Sequence, residues 1–168
     1  MHKIEGSWSG MRKYLEVEML ADALKGRVRY HCSTAVGMDG CRFFEVYFDG
    51  RCFKRFSWET VNSYFIEAGI IEKPRTMSIP DYWDGFWMLI ERYPMEARNE
   101  YTDDEFCSAL EAYRNSDIQS SIHSADPIVK MFALLDRRLG KRTLEKMAEE
   151  IQSDPEWLQA VYHFRTHA

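Results

Sequence analysis

Arg27–Trp58, RVRYHCSTAVGMDGCRFFEVYFDGRCFKRFSW, is the one clear run of β-strand sequence in a chain otherwise patterned for helices. Within it, Asp49-Gly50 joins two apolar-rich runs. That dipeptide favours a two-residue type I′ hairpin turn, whose central residues both need positive φ. With the turn there, Phe48 faces Arg51, Tyr47 faces Cys52, Val46 faces Phe53, and Glu45 faces Lys54 as an opposite-charge pair. The register sets Phe44, Val46, Phe48 and Phe53 on one side. Cys41, Phe43, Glu45, Tyr47 and Lys54 fall on the other, a mixed face suited to a contact surface or to lying under the first helix. Upstream, Val28, Tyr30 and Cys32 alternate with Arg27, Arg29 and His31 as a half-buried strand does. Val36–Gly40 reads as the loop between this strand and the hairpin.

Working outward, Ser7 or Ser9 caps a first helix expected to reach Lys25, with Trp8, Met11, Leu15 and Met19 on its apolar stripe and Gly26 as its stop. After the strands, Ser57 caps a short helix carrying Val61, Tyr64 and Phe65 and ending at Gly69. An aromatic helix follows from Pro80 or Asp81 to about Tyr93, its face made of Trp83, Phe86, Trp87 and Ile90. Gly85 inside it suggests a close backbone approach. Thr102-Asp103-Asp104-Glu105 is a capping box ahead of Phe106, Leu110 and Tyr113. Asp126-Pro127 opens a helix with Ile128, Phe132, Leu135 and Leu139, and Gly140 ends it. Leu144, Met147 and Ile151 mark another helix. Ser153-Asp154-Pro155-Glu156 reads as a second capping box before Trp157, Val161 and Phe164. The expected fold is therefore a single α+β domain over residues 1–168. A three-stranded antiparallel meander is preceded by one helix and followed by several helices that pack on it.

At 168 residues, with 45% hydrophobic and 29% charged residues, the chain is globular and large enough for a sizeable core. No apolar run approaches the ~20 residues a membrane span needs. The opening MHKIEGSWSGMRKY lacks the apolar core of a signal peptide, so a cytoplasmic location is expected. The net charge of −5 argues against a dedicated nucleic-acid binder, yet it is unevenly spread. Residues 25–57 hold seven Lys/Arg against three Asp/Glu, whereas residues 58–168 hold twelve against twenty. The strand region is thus a basic island, read mainly as arginines answering acidic helices. Cys32, Cys41, Cys52 and Cys107 form no CxxC pair and have no His at zinc-finger spacing. They are read as buried free thiols, with no metal and no cofactor expected.

Arg137, Arg138, Lys141 and Arg142, with Lys146, crowd one helix–Gly–helix corner. A DNA-binding helix-turn-helix is disfavoured, since Lys146 falls where a recognition helix needs a buried aliphatic residue. A phosphate-binding corner made of Arg137, Arg138, Lys141 and Arg142 is one reading. The plainer one has Arg137 and Arg138 complementing a helix C-terminus and Arg142 pairing with a carboxylate. His163 and His167 share a helix face but lack a completing carboxylate, so they are read as solvent-facing residues. Tyr82, Trp83, Phe86 and Trp87 are read as core rather than as a ligand pocket. No nucleophile motif, phosphate-cradling glycine loop or HExxH motif is present.

The two ends of the chain carry a resemblance. Trp8-Ser9 with Lys13, Leu15 and Glu16, Leu24–Val28 and Tyr30 lie at one end. Asp136–Arg142 with Leu144, Pro155–Leu158 and Tyr162–Arg165 lie at the other. Together these resemble a family of small uncharacterised bacterial proteins. The resemblance implies a small bacterial cytosolic α+β protein whose ends pack together, and it supplies no site. The expected function is a non-catalytic protein-binding domain of adaptor or partner-neutralising type, with another protein as partner. The alternative is a small enzyme or phosphate-ligand binder at the 137–142 corner. Nucleic-acid binding through Arg27, Arg29, Arg42, Arg51 and Arg55 ranks last. A free sheet edge would also allow a second copy to pair.

Overall fold

A computed structural model describes residues 6–34, 42–76 and 80–168; the expected loop Val36–Gly40 and Cys41 lie outside them. Its centre is an antiparallel sheet in the order β1 (Val28–Thr34), β2 (Arg42–Phe48), β3 (Arg51–Phe56). Asp49 and Gly50 make the hairpin turn with φ of 48° and 79°, the positive pair a type I′ turn requires. Gly50→Val places a β-branched side chain in that left-handed region. It is expected to cost about 1–2 kcal/mol of stability in urea unfolding, while Gly50→Asn, which tolerates the conformation, costs less.

The register begins as expected, with Phe48 opposite Arg51 and Tyr47 opposite Cys52, and then slips. A bulge inserts Phe53, so Val46 faces Lys54, Glu45 faces Arg55 and Phe44 faces Phe56. The expected Glu45–Lys54 pair is therefore replaced by Glu45–Arg55, with the Arg55 guanidinium donating to Glu45 Oε1 at 2.6 and 2.9 Å. One extra residue reverses the sidedness of everything beyond it. Phe53 still reaches the core side, stacking on Phe48 at 4.4 Å, but Lys54 now points inward and Phe56 is fully buried.

The N-terminal helix is shorter than its apolar stripe implies. Ser7 caps α1 (Trp8–Lys13), accepting from the Gly10 N–H, and the chain then widens into a π-helical turn over Tyr14–Glu18. That turn brings Glu16 to the outer edge of β1, where its carboxylate accepts from the Tyr30 N–H at 2.8 Å and from Arg29 at 3.1 Å. An edge N–H that would otherwise face water is thereby satisfied. Arg12 donates to the same carboxylate, and these bonds hold the Glu16 pKa below the usual range although burial pushes the other way. Trp8 packs on Phe44 at 5.3 Å, so α1 lies on the core side of the sheet and not over the Phe43–Tyr47 face. After the break, a 3₁₀ turn (Asp22–Leu24) leads into β1.

Local capping signals place most remaining helices. Ser57 caps α2 (Trp58–Glu67), accepting from the Thr60 N–H, and α3 spans Pro80–Arg92. Thr102 and Glu105 close the capping box of α4 (Asp103–Arg114), and Asp117 caps the unanticipated short α5 (Ile118–Ile122). Asp126 caps α6 (Pro127–Leu135), which ends at Asp136, several residues before Gly140. There follow α7 (Lys141–Met147), a 3₁₀ turn (Glu150–Ser153) and α8 (Glu156–Thr166). The second expected capping box does not form: Pro155 is the N-cap of α8, and the Ser153 hydroxyl, the expected cap, donates back to Glu150 O at 2.7 Å, while Asp154 receives Lys130 at 2.9 and 3.0 Å.

The main core lies between the sheet and α4, α6 and α8. Phe106 is its hub, with ring centroids 4.5 Å from Phe44, 4.9 Å from Phe56 and 5.4 Å from Phe132. Both chain ends join it. Phe164 stacks flat on Phe48 at 4.2 Å, and Leu20 bridges to Asp136 through Ala21 N–H to Leu135 O and Arg137 N–H to Met19 O. A second, smaller core joins α2 and α3 around Val61, Phe65 and Phe86. Among the described residues, no helix is long and apolar enough to cross a membrane.

Candidate functional site

The corner singled out by its cations is built on a buried acid. Asp136 caps the end of α6 with 1% exposure, and it accepts from the Tyr113 hydroxyl at 2.5 Å, the Arg138 N–H at 2.7 Å and the Arg138 guanidinium at 2.6 Å. Burial and this carboxylate hold the Tyr113 hydroxyl firmly protonated, and the same acid raises the Arg138 pKa. Arg138 is thus tied to the acid that caps α6, whereas the carboxylate partner expected for Arg142 is not among the ion pairs of the described residues. The others are not paired in this way: among the described residues, Arg137, Lys141 and Arg142 take part in none of the ion pairs. Arg137 and Lys141 line a cavity of about 610 Å³ between the corner and α8, and Arg142 and Arg138 do not. The four expected residues therefore divide into two that share a cavity, one tied to Asp136 and one exposed elsewhere.

The cavity's third cation, Arg165, comes from α8. Its guanidinium donates to Leu139 O at 3.1 Å, its Nε has no hydrogen-bond partner among the described residues, and burial pulls its pKa down. A signal for it exists in the sequence: Leu158, Val161, Tyr162 and Arg165 follow i, i+3, i+4, i+7 spacing, which puts a cation on the buried stripe.

The bulge creates a second polar feature. Lys54 is 7% exposed, and its ammonium lies 5.0 Å from the Trp157 ring, 5.4 Å from Tyr101 and 5.9 Å from Phe56. It donates to Asn99 O at 2.5 Å and pairs with Glu100 at 3.5 Å. Burial lowers the Lys54 pKa while Glu100 works to raise it, and ring faces and a carbonyl also surround the charge. A cavity of about 540 Å³ opens beside it, walled by Arg55, Glu59, Ser63 and Glu67 as well as Glu100. A more deeply buried pair joins Arg98 to Glu105 in the first turn of α4. Sequence pattern pointed to neither: Lys54 depends on the bulge and on Glu100 far along the chain, and Arg98 meets Glu105 across seven residues, beyond the reach of a cap or a helical repeat.

The basic island is largely neutralised. Arg27 forks onto Asp49 at 2.8 and 2.9 Å, Arg29 meets Glu16, and Arg55 meets Glu45 while lying over Phe43 at 4.5 Å. Three of the five arginines proposed for nucleic acid are held in ion pairs across the sheet or to the N-terminal segment. The thiols also differ from expectation: Cys107 is buried, with its pKa pushed up to about 12, whereas Cys32 is half-buried and Cys52 exposed.

On α3, Phe86 alone is buried, packing against Phe65 at 5.9 Å. Trp83 is half-buried against Trp58, and Tyr82 donates to Asn62 at 2.5 Å. Trp87 does not join the inner face as expected: it is 44% exposed, and Met88 beside it is 52% exposed. Helical rotation explains it, because with Phe86 centred on the core its immediate neighbours turn outward. Among the described residues, no neighbour crowds Gly85 either; a Cβ there would meet open space.

No curated protein and no solved structure matches this chain. The model of the SF0329 protein family matches residues 7–166, taking in α1, the whole sheet and every helix through α8, and the chain belongs to that family.

Proposed function

We propose that this protein is a non-catalytic cytosolic protein-binding domain, of adaptor or partner-neutralising type, that docks through the outer face of α3. The observation that carries the reading is the exposure of Trp87 and Met88, two of the three large apolar side chains left open among the described residues. Large aromatic and Met side chains at the surface are the groups that anchor protein interfaces. Asp81, Asp84 and Glu91 flank them on exposed positions against the single cation Arg92. The partner surface is therefore an apolar patch flanked by Lys or Arg, of the kind a basic amphipathic helix presents. The open space beside Gly85 lets such an element approach the α3 backbone.

A photo-crosslinker at position 88, activated in the native host, identifies the partner, and the purified pair is then titrated. Trp87→Ala together with Met88→Ala is expected to weaken binding by about tenfold or more with the melting temperature unchanged, and added salt is expected to weaken the wild-type pair. Gly85→Ala separates binding from folding. It fills open space in a helix interior and is expected to stabilise the protein by up to about 1 kcal/mol while weakening the complex. Crosslinks confined to a second copy of this chain or to lipid, or a partner indifferent to both variants, would refute the proposal.

A further inference from the structure

The cavity between the α6–α7 corner and α8 holds more cationic character than the protein itself answers. Arg137 comes from the turn after α6, Lys141 opens α7 and Arg165 rises from α8. Three separate elements thus bring cations to one cavity, whose only acidic side chain among the described residues is Glu145, with Asp22 outside it in electrostatic reach of Arg137. Arg165 is the telling member. A guanidinium has five N–H donors, yet here one of them finds Leu139 O and Nε finds nothing. Its closest acid in electrostatic terms, Asp136, is already engaged by Arg138 and Tyr113. A partly desolvated cation left without a carboxylate is a standing cost, which a bound anion would offset.

The rest of the wall is apolar or internally satisfied. Leu139 and Leu144 supply hydrocarbon, and the Tyr162 hydroxyl donates to Leu144 O at 2.8 Å. A volume of about 610 Å³ exceeds what a bare anion needs and lies in the range of small-molecule sites. We infer that this cavity binds a small phosphorylated compound, its phosphate dianion set among Arg137, Lys141 and Arg165 and its organic part against Leu139, Leu144 and Tyr162. Three cations against one side-chain carboxylate suit a doubly charged group better than a single carboxylate, and Arg and Lys together are well matched to a tetrahedral oxyanion. The site is on α7 and α8, apart from the α3 docking face.

The test uses the full ¹⁵N-labelled chain titrated with inorganic phosphate, and separately with pyrophosphate, against chloride at constant ionic strength. The expected result is a saturable shift confined to residues 137–145 and 162–166. Arg137→Ala with Lys141→Ala, both exposed positions that leave the core intact, is expected to weaken it by about tenfold or more. Arg142→Ala, a cation of the same corner outside the cavity, is expected to leave it unchanged. Linear, unsaturable shifts, or equal weakening by Arg142→Ala, would overturn the inference, since either describes general screening of a basic surface. Tighter binding of pyrophosphate than of phosphate assigns a diphosphate; the reverse order assigns a monoester.

Discussion

Asp136→Ala is expected to lower the unfolding free energy by about 3 kcal/mol, read as a shift of the urea midpoint with the slope unchanged. The carboxylate is 1% exposed and receives the Tyr113 hydroxyl, the Arg138 amide and the Arg138 guanidinium. Its removal leaves a buried phenol and a backbone donor without an acceptor. The loss stays near the lower end for a broken buried pair because the Arg138 side chain is 40% exposed and can turn to water. Tyr113→Phe, which removes one hydrogen bond and no charge, is expected to cost only about 1 kcal/mol. The damage should also spread to the N-terminal segment, since Leu20 bridges to Asp136 and Met19 O accepts from Arg137 N–H. Faster amide exchange at Ala21 and Arg137 is the local sign. A loss below about 1 kcal/mol would show that the corner does not depend on this acid.

Phe106→Ala should do as much harm by a different route. Its ring meets Phe44, Phe56 and Phe132, so truncation opens a cavity where β2, β3, α4 and α6 converge. The expected cost is about 3–5 kcal/mol, because surrounding rings relax only partly into such a space. Phe106→Leu keeps more of the volume and should cost markedly less. Calorimetry distinguishes the two causes of instability proposed here: the Asp136 variant loses polar satisfaction and the Phe106 variant loses packing. An Ala variant as stable as wild type would mean that the aromatic cluster is not the centre of the core.

Features that depend on neighbours within about four residues were legible in the sequence. The Asp49-Gly50 turn needs two residues able to take positive φ, and the caps at Ser7, Ser57, Thr102 and Asp126 need a side chain three residues or fewer from its amide. The alternating pattern of β1 and the strand order of a meander follow from the same short reach. The α6–α7 corner was legible as a cluster of charge, but not which of its members would share a cavity.

The remaining features depend on partners brought together by the folded chain. Asp154 pairs with Lys130 from α6, and Asp136, held by Tyr113 of α4, takes Arg138 out of the cationic cluster while Arg165 enters it from α8. Glu16 reaches the β1 edge only because the first helix widens into a π turn. Lys54 is buried only because one extra residue, Phe53, turns β3 over. Trp87 faces out because Phe86 is the residue that meets α2. In the Arg27–Trp58 stretch the turn follows from the backbone preferences of Asp49 and Gly50 alone. The placement of the bulge instead depends on what the far side of the core accepts, and no local preference specifies that.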